Sequence, residues 1–396
     1  MIVKFRTIAN FVAGQSPESK YYSDTTGVPF LQGNRTFGSL YPTIDTYTTK
    51  VTKIAKKGDI LMSVRAPVGD LNFANKDICI GRGLAAINSK IGDNEFLFYV
   101  LRYNIEHLKK QSNGTTFDSI TKDVIEDMDL IIPDKKATYE AIKRLLFGID
   151  KQIDVNNKII SILTKLSESY YSRWFLQYDF PDEEGKPYKS SGGLMIFNEI
   201  TNSAIPADWK IINIKEICKL IWGQCPDGKN ILPLSTNEPD AMLYCSGAGD
   251  MRNGMVVDCQ AKTNASRREA ENGDILMSVA GSIGALCICD KHISLGRAAV
   301  AFRPEKENLA FCYFVIKKFV NRMMSVSSGS IQKVVNDSNI DDINFAYDAK
   351  TVKAFGFVNN IIKQCVLLSK ENEELKLMRD RLLPLLMNGQ VSVNNL

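Results

Sequence analysis

Histidine is nearly absent from this 396-residue chain, with two residues in all, so histidine-based acid–base chemistry rests on His107 and His292 alone. His107 falls in an expected helix, NEFLFYVLRYNIEHLKK, where an exposed or hydrogen-bonded histidine is far commoner than a general base. Charge of one sign is also missing: 49 Lys and Arg against 45 Asp and Glu leave a net +4, so attraction to nucleic acid has to be local. Long apolar runs are missing as well. No stretch approaches the ~18 residues of a membrane span, and MIVKFRTIANFVAGQSP has no leader-like apolar core with a small-residue cleavage site, so a cytoplasmic protein is expected. A regular disulfide framework is absent too. The nine cysteines are odd in number and only Cys79 lies in the first half, which suits reduced thiols used in packing.

Catalytic signatures fail one by one. Gly223-Gln224-Cys225-Pro226-Asp227-Gly228-Lys229-Asn230 imitates a phosphate loop, but Asn230 lacks the magnesium-binding hydroxyl and Pro226 removes a backbone donor. Pro181-Asp182 with Glu184 and Lys186 imitates a nuclease metal site compressed into what reads as a linker. Cys287-x-Cys289-x-x-His292 has no fourth ligand for a closed zinc site and reads as alternating strand residues. There is no Gly-x-Ser-x-Gly elbow, no dinucleotide-binding glycine turn, and no Asn/Asp-Pro-Pro-Tyr/Phe run. A non-catalytic chain is expected, with no metal or cofactor of its own.

What is present is a repeat. Gly58-Asp59-Ile60-Leu61-Met62-Ser63-Val64 recurs letter for letter as Gly273-Asp274-Ile275-Leu276-Met277-Ser278-Val279, an offset of 215. The same offset pairs Gly69 with Gly284, Gly81-Arg82 with Gly296-Arg297, Phe96 with Phe311, and Ser112-x-Gly114 with Ser327-x-Gly329. Upstream, Gly14-Gln15-Ser16-Pro17 answers Gly223-Gln224-Cys225-Pro226, and Gly33 to Gly38 answers Gly249 to Gly254, with offsets of 209 and 216. Short β-type runs punctuated by Gly, Pro, Asn and Asp make each unit strand-rich.

Each unit then turns helical, over about 137 to 175 and about 350 to 388. Leu146, Ile153 and Ile160 share one heptad position, with Ile142, Ile149, Leu163 and Tyr170 on the other. Ile361, Leu368, Leu375 and Leu382 repeat every seven residues, with Phe357, Met378 and Leu385 as companions, and Asn156, Gln364 and Glu371 interrupt the seams. The helix-pairing residues are therefore Leu146, Ile149, Ile153, Ile160, Leu163, Ile361, Leu368, Leu375, Met378 and Leu382. The expected fold is α+β: two pseudo-repeated strand-rich domains joined by two long helices that pair as an antiparallel coiled coil. The expected boundaries are a first domain at 1–136, a helical spacer at 137–178, a polar linker at 179–204, a second domain at 205–349 and a second spacer at 350–396. A helix of ~38 residues spans ~57 Å, which suits two reading heads on a split DNA target.

The doubled Gly58 to Ser63 motif, the late Ser-x-Gly followed by Ile120 or Ile340, and the helix from Ile149-Asp150 through Tyr170 and Trp174-Phe175 resemble the specificity (S) subunit family of type I restriction-modification enzymes. The resemblance covers essentially the whole chain. It implies two target-recognition domains, each reading one half of a bipartite, gapped double-stranded DNA site. It implies two methyltransferase (M) subunits docked on the helices and restriction (R) subunits in the full complex, with S-adenosylmethionine, ATP and Mg on those partners. A methylation-only complex and a repeat-built protein-binding scaffold are the alternatives.

Side-chain chemistry supplies the DNA-contact candidates, since Arg or Lys bridges guanine, Asn or Gln bridges adenine, and cations hold phosphates. In the first half they are Gln32, Asn34, Arg35, Arg65 and Arg82; in the second, Asp250, Arg252, Asn253, Ser282 and Arg297. Arg82 and Arg297 occupy equivalent positions, which suits a shared phosphate contact, with a salt bridge as the plain alternative. Arg65 faces Ala280 in the repeat and suits a residue that differentiates the two targets.

Overall fold

The computed structural model describes residues 1–111, 120–133, 136–251, 255–326 and 334–391. Two compact units result, one built from residues 1–156 and 372–396, the other from 157–371. Four long helices among the described residues carry much of the packing: α1 (Asn94–Gln111), α2 (Gly148–Tyr171), α3 (Leu309–Val326) and α4 (Phe357–Met387).

The first unit contains a four-stranded sheet in the order Ala9–Ala13, Leu84–Ser89, Ile60–Ser63, Leu71–Phe73. A second sheet of short strands runs Tyr22–Ser23, Tyr47–Thr48, Val28–Leu31, Ile78–Ile80, Ile54–Ala55, with one parallel pairing between Val28–Leu31 and Ile78–Ile80. The second unit reproduces both. Its four-stranded sheet runs Cys218–Trp222, Ala299–Pro304, Ile275–Ser278, Leu286–Ile288, and its five-stranded sheet again holds a single parallel pairing, between Met242–Cys245 and Ile293–Leu295.

The seven-letter repeat has a local physical cause. Gly58 and Gly273 sit at φ +89° and +98°, a conformation that costs residues with a Cβ, so glycine starts the turn. The following aspartate latches it: the Lys56 N–H donates to Asp59 at 2.8 Å, and the Glu271 N–H to Asp274 at 2.8 Å. Ile60, Leu61 and Met62, with Ile275, Leu276 and Met277, are then wholly buried. The serine closes the motif by bridging the next loop, Ser63 Oγ to the Pro67 carbonyl and Ser278 Oγ to the Ser282 carbonyl, both at 2.7 Å. Each letter thus has a task in one turn–strand–turn unit.

Within each unit the helical segments of the two halves of the sequence run antiparallel. In the first, Asp150 meets Arg379 and Asn156 meets Asn372; in the second, Tyr170 and Trp174 pack on Phe357. Leu146, Ile149 and Ile153 are buried, and Ile160 and Leu163 pack part-buried on the core of the second unit. On α4 the expected register is one residue off. The buried line is Val358, Ile362, Cys365, Ser369, Asn372, Arg379, Leu383 and Leu386, while Ile361, Leu368, Leu375 and Leu382 flank it and Met378 is exposed. Three of those buried positions are polar, so apolar letters alone select the neighbouring stripe, ~100° around the helix. Likewise Tyr171, not Tyr170, turns into the core.

The segment expected as a linker, residues 179–204, carries structure of its own. Met195–Asn198 and Ser203–Pro206 form a hairpin, and Phe180 stacks on Tyr188 and Trp209 with ring centroids 4.8 and 5.0 Å apart. Polar, breaker-rich composition hid a segment anchored by a few aromatics.

Candidate nucleic-acid interface

In the first unit, close backbone contact fixes the loop that begins at Gly14. A Cβ on Gly14 would come within 2.2 Å of the Gly81 carbonyl, and one on Gly223 within 2.0 Å of the Gly296 carbonyl, so both turns require glycine. The Arg82 N–H donates to Ser16 Oγ at 3.1 Å, and Ser16 Oγ donates to Gln32 Oε1 at 2.9 Å. Tyr22 donates to the same oxygen at 3.3 Å. The Gln32 acceptor is therefore occupied from within, and its exposed amide nitrogen is left to donate outward. In the second unit a thiol takes the serine's place. Burial works against the Cys225 thiolate, but the Tyr244 hydroxyl, 3.3 Å away, and the Arg297 N–H hold its pKa below the ordinary thiol value.

The arginines after the paired glycines, Arg82 and Arg297, are exposed, and neither makes an ion pair among the described residues. Arg65 is exposed and equally unpaired, beyond the end of the strand Ile60–Ser63. Two other candidates are engaged: Asn34 donates to Asp70 at 2.6 Å, and Arg35 pairs with Asp45 at 2.5 Å, holding that carboxyl below its usual range. Ser282 is exposed, and its carbonyl accepts from Ser278. Arg252 and Asn253 lie outside the described residues, as do Ser112, Gly114, Ser327 and Gly329.

Asp250 is a correction. Its carboxylate is 4% exposed and accepts from the Ser246 N–H and hydroxyl, both at 2.7 Å, and from the Gln260 N–H at 3.2 Å. A carboxylate so enclosed organises its loop and presents nothing to a base edge. The cause is a slip in the repeat: the parallel pairings set Leu31 against Ile80 and Cys245 against Leu295, so Gly33 corresponds to Gly247 rather than Gly249. Asn34 therefore matches Ala248, and the glycine-rich spelling of both loops concealed the two-residue shift.

One basic groove was missed in the sequence. Lys219, Trp222, Arg267, Arg268 and Arg303 line a concavity of about 440 Å³ in the second unit. Arg303 is committed to Asp274 through two hydrogen bonds of 2.8 Å, and Arg267 pairs with Asp227 at 3.2 Å, which leaves Lys219 and Arg268 as the uncommitted cations. Where Lys219 lies opposite Arg303 in this sheet, the first unit has Asn10 opposite Asn88. The adjacent pair Arg267-Arg268 was the available signal, while Lys219 and Arg303 are 84 residues apart and meet only through strand pairing.

The Cys287 and Cys289 side chains are buried in the second unit, and His292 lies exposed, 2.8 Å from Glu269. No group of three or more metal-ligating side chains is found among the described residues. No helix among them is long and apolar enough to cross a membrane.

The model of the type I restriction modification DNA specificity domain family matches residues 1–165 and again 206–347. The chain belongs to this family. Among curated relatives it is 22% identical to the type I restriction enzyme MjaIX specificity subunit of Methanocaldococcus jannaschii, over 87% of this chain and 80% of that protein. It is 23% identical to the HindI specificity subunit of Haemophilus influenzae, over 86% and 88%. A shorter match, 43% identical over 150 residues, joins it to a putative MjaX specificity subunit of M. jannaschii and spans 37% of this chain and 35% of that relative. The crystal structure of the type I restriction-modification S subunit from M. genitalium superposes with a TM-score of 0.59 at 17% identity, covering 98% of this chain and 95% of that one, and so shares the fold.

Proposed function

We propose that this S-family chain is a non-catalytic, cytoplasmic subunit that reads double-stranded DNA for a type I restriction-modification complex, each strand-rich domain reading one half of a bipartite, gapped target. The observation that carries this reading is the pair of exposed, uncommitted arginines, Arg82 and Arg297, held at the same backbone turn of the two repeated domains. Equivalent cations on equivalent loops suit phosphate contacts that orient each domain, and the residues that differ between halves suit base reading. Arg65 against Ala280, and Lys219 against Asn10, are such differences.

The paired helices dock two methyltransferase subunits, and restriction subunits join through them. Supporting this, α2 leaves Ile159, Ile162 and Leu166 exposed at helical spacing, and α4 leaves Leu367, Leu377 and Met378 exposed. S-adenosylmethionine, ATP and Mg belong to those partners. The test is co-purification of the complex followed by binding to duplex DNA over a salt series. A steep fall of affinity with salt, shared by both half-sites, is expected, and binding indifferent to salt and sequence would favour a protein-binding scaffold.

A further inference from the structure

The second unit holds a built cavity remote in character from DNA recognition. About 590 Å³ in volume, it is lined by the rings of Trp174, Phe180, Tyr188 and Trp209 and by the carboxylates Asp182, Glu183, Asp208 and Asp348, with Lys350 the one cation among its lining residues. Its aromatic wall is fixed in advance. Phe180 stacks between Tyr188, at an interplanar angle of 14°, and Trp209, at 26°. The Tyr188 ring lies so close to Gly193 that a Cβ there would meet it at 2.4 Å, and its hydroxyl donates to the Leu194 carbonyl at 3.0 Å.

Two of the four carboxylates have structural duties. Asp182 accepts from the Glu184 and Lys186 N–H groups at 2.9 and 2.8 Å, and Asp348 caps the helix at Thr351 at 2.8 Å. Glu183 and Asp208 are exposed and make no ion pair among the described residues. Acidic groups around aromatic faces are repulsive to phosphate and complementary to an organic cation, whose charge meets the ring quadrupole and the carboxylates together. A planar guanidinium satisfies both at once, stacking on a ring while its fork addresses a carboxylate, which an ammonium cannot do.

We infer that this cavity receives an arginine side chain displayed by a partner polypeptide, and, resting on the function proposed above, that the polypeptide is the methyltransferase subunit. Two of the chain's three tryptophans line the cavity and the third, Trp222, does not, so fluorescence reports on it directly once Trp222→Phe removes the background. The full-length chain is titrated with Nα-acetyl-arginine amide and with its neutral isostere, Nα-acetyl-citrulline amide. Saturable quenching at about ten-fold lower concentration of the arginine probe is expected, and Glu183→Gln with Asp208→Asn is expected to abolish the difference. Equal response to both probes, or none that saturates, overturns the site. Assembly with the methyltransferase subunit is then measured for Glu183→Arg with Asp208→Arg, the circular dichroism spectrum showing that the fold persists. Assembly weakened by about ten-fold or more supports the partner, whereas unchanged assembly overturns that assignment. Failure of the unaltered chain to assemble counts against the proposed function, and the titration with free probes still decides the site.

Discussion

Replacing Arg379 by alanine should unsettle the first unit more than any other single change on its helical seam. Asp150 is 1% exposed and is held by Arg379 Nη1 at 2.5 Å and by the Tyr99 hydroxyl at 2.7 Å, with Arg102 Nη1 farther off at 3.9 Å. Removing the guanidinium leaves a buried carboxylate with one neutral donor and one distant cation. Breaking a buried pair in this way costs about 3–5 kcal/mol, and because Arg102 is partly exposed and can approach, the lower end, about 3 kcal/mol, is expected. With a urea dependence of about 2–3 kcal/mol/M, the midpoint of the first unit's transition should fall by about 1–1.5 M. Replacing both partners, as Asp150→Leu with Arg379→Met, removes the stranded charge and should recover most of that loss. Equilibrium urea unfolding followed by circular dichroism checks both numbers. A single-mutant cost below about 1 kcal/mol, or a double mutant no more stable than Arg379→Ala, would refute the reasoning.

Other outcomes follow from the loops. Arg65→Ala should relax or abolish recognition of one half-site only, read by mapping methylated positions, and equal loss at both halves would sink the assignment. Arg82→Ala and Arg297→Ala should each weaken binding across all sequences and lower the slope of log affinity against log salt by about 1, measured by fluorescence anisotropy. Asp250→Ala strands the Ser246 and Gln260 donors and should cost the second unit about 2 kcal/mol in thermal unfolding while leaving the recognised bases unchanged.

The repeat was readable because Gly58, Asp59 and Ser63 are tied to backbone geometry, which admits few alternatives, and the second copy spells the same geometry with the same letters. The helical register of α4 was not readable, since Ser369, Asn372 and Arg379 occupy the buried line, and Asn372 and Arg379 hydrogen-bond to Asn156 and Asp150 on the opposite helix, contacts that a hydrophobic pattern does not register. Similarly, Asp250 looked like a presented polar side chain because its burial comes from donors at Ser246 and Gln260, known only once the loop is closed. The aromatic stack at Phe180 depends on Tyr188 and Trp209, brought together across a Gly- and Ser-rich stretch whose local composition does not register them. The basic groove escaped for the same reason, with Lys219 brought to Arg303 by strand pairing rather than by sequence.

The central claim, that two related domains each read half of one DNA target, is tested most directly by a domain exchange. The chain is co-expressed with its methyltransferase subunit, methylated adenines are mapped across host DNA by single-molecule sequencing, and residues 1–136 are then replaced by the corresponding domain of a relative. A gapped two-part motif in which the exchange alters one half and preserves the other is predicted. Methylation independent of this chain, or an exchange that changes both halves or neither in a well-assembled complex, would contradict the account.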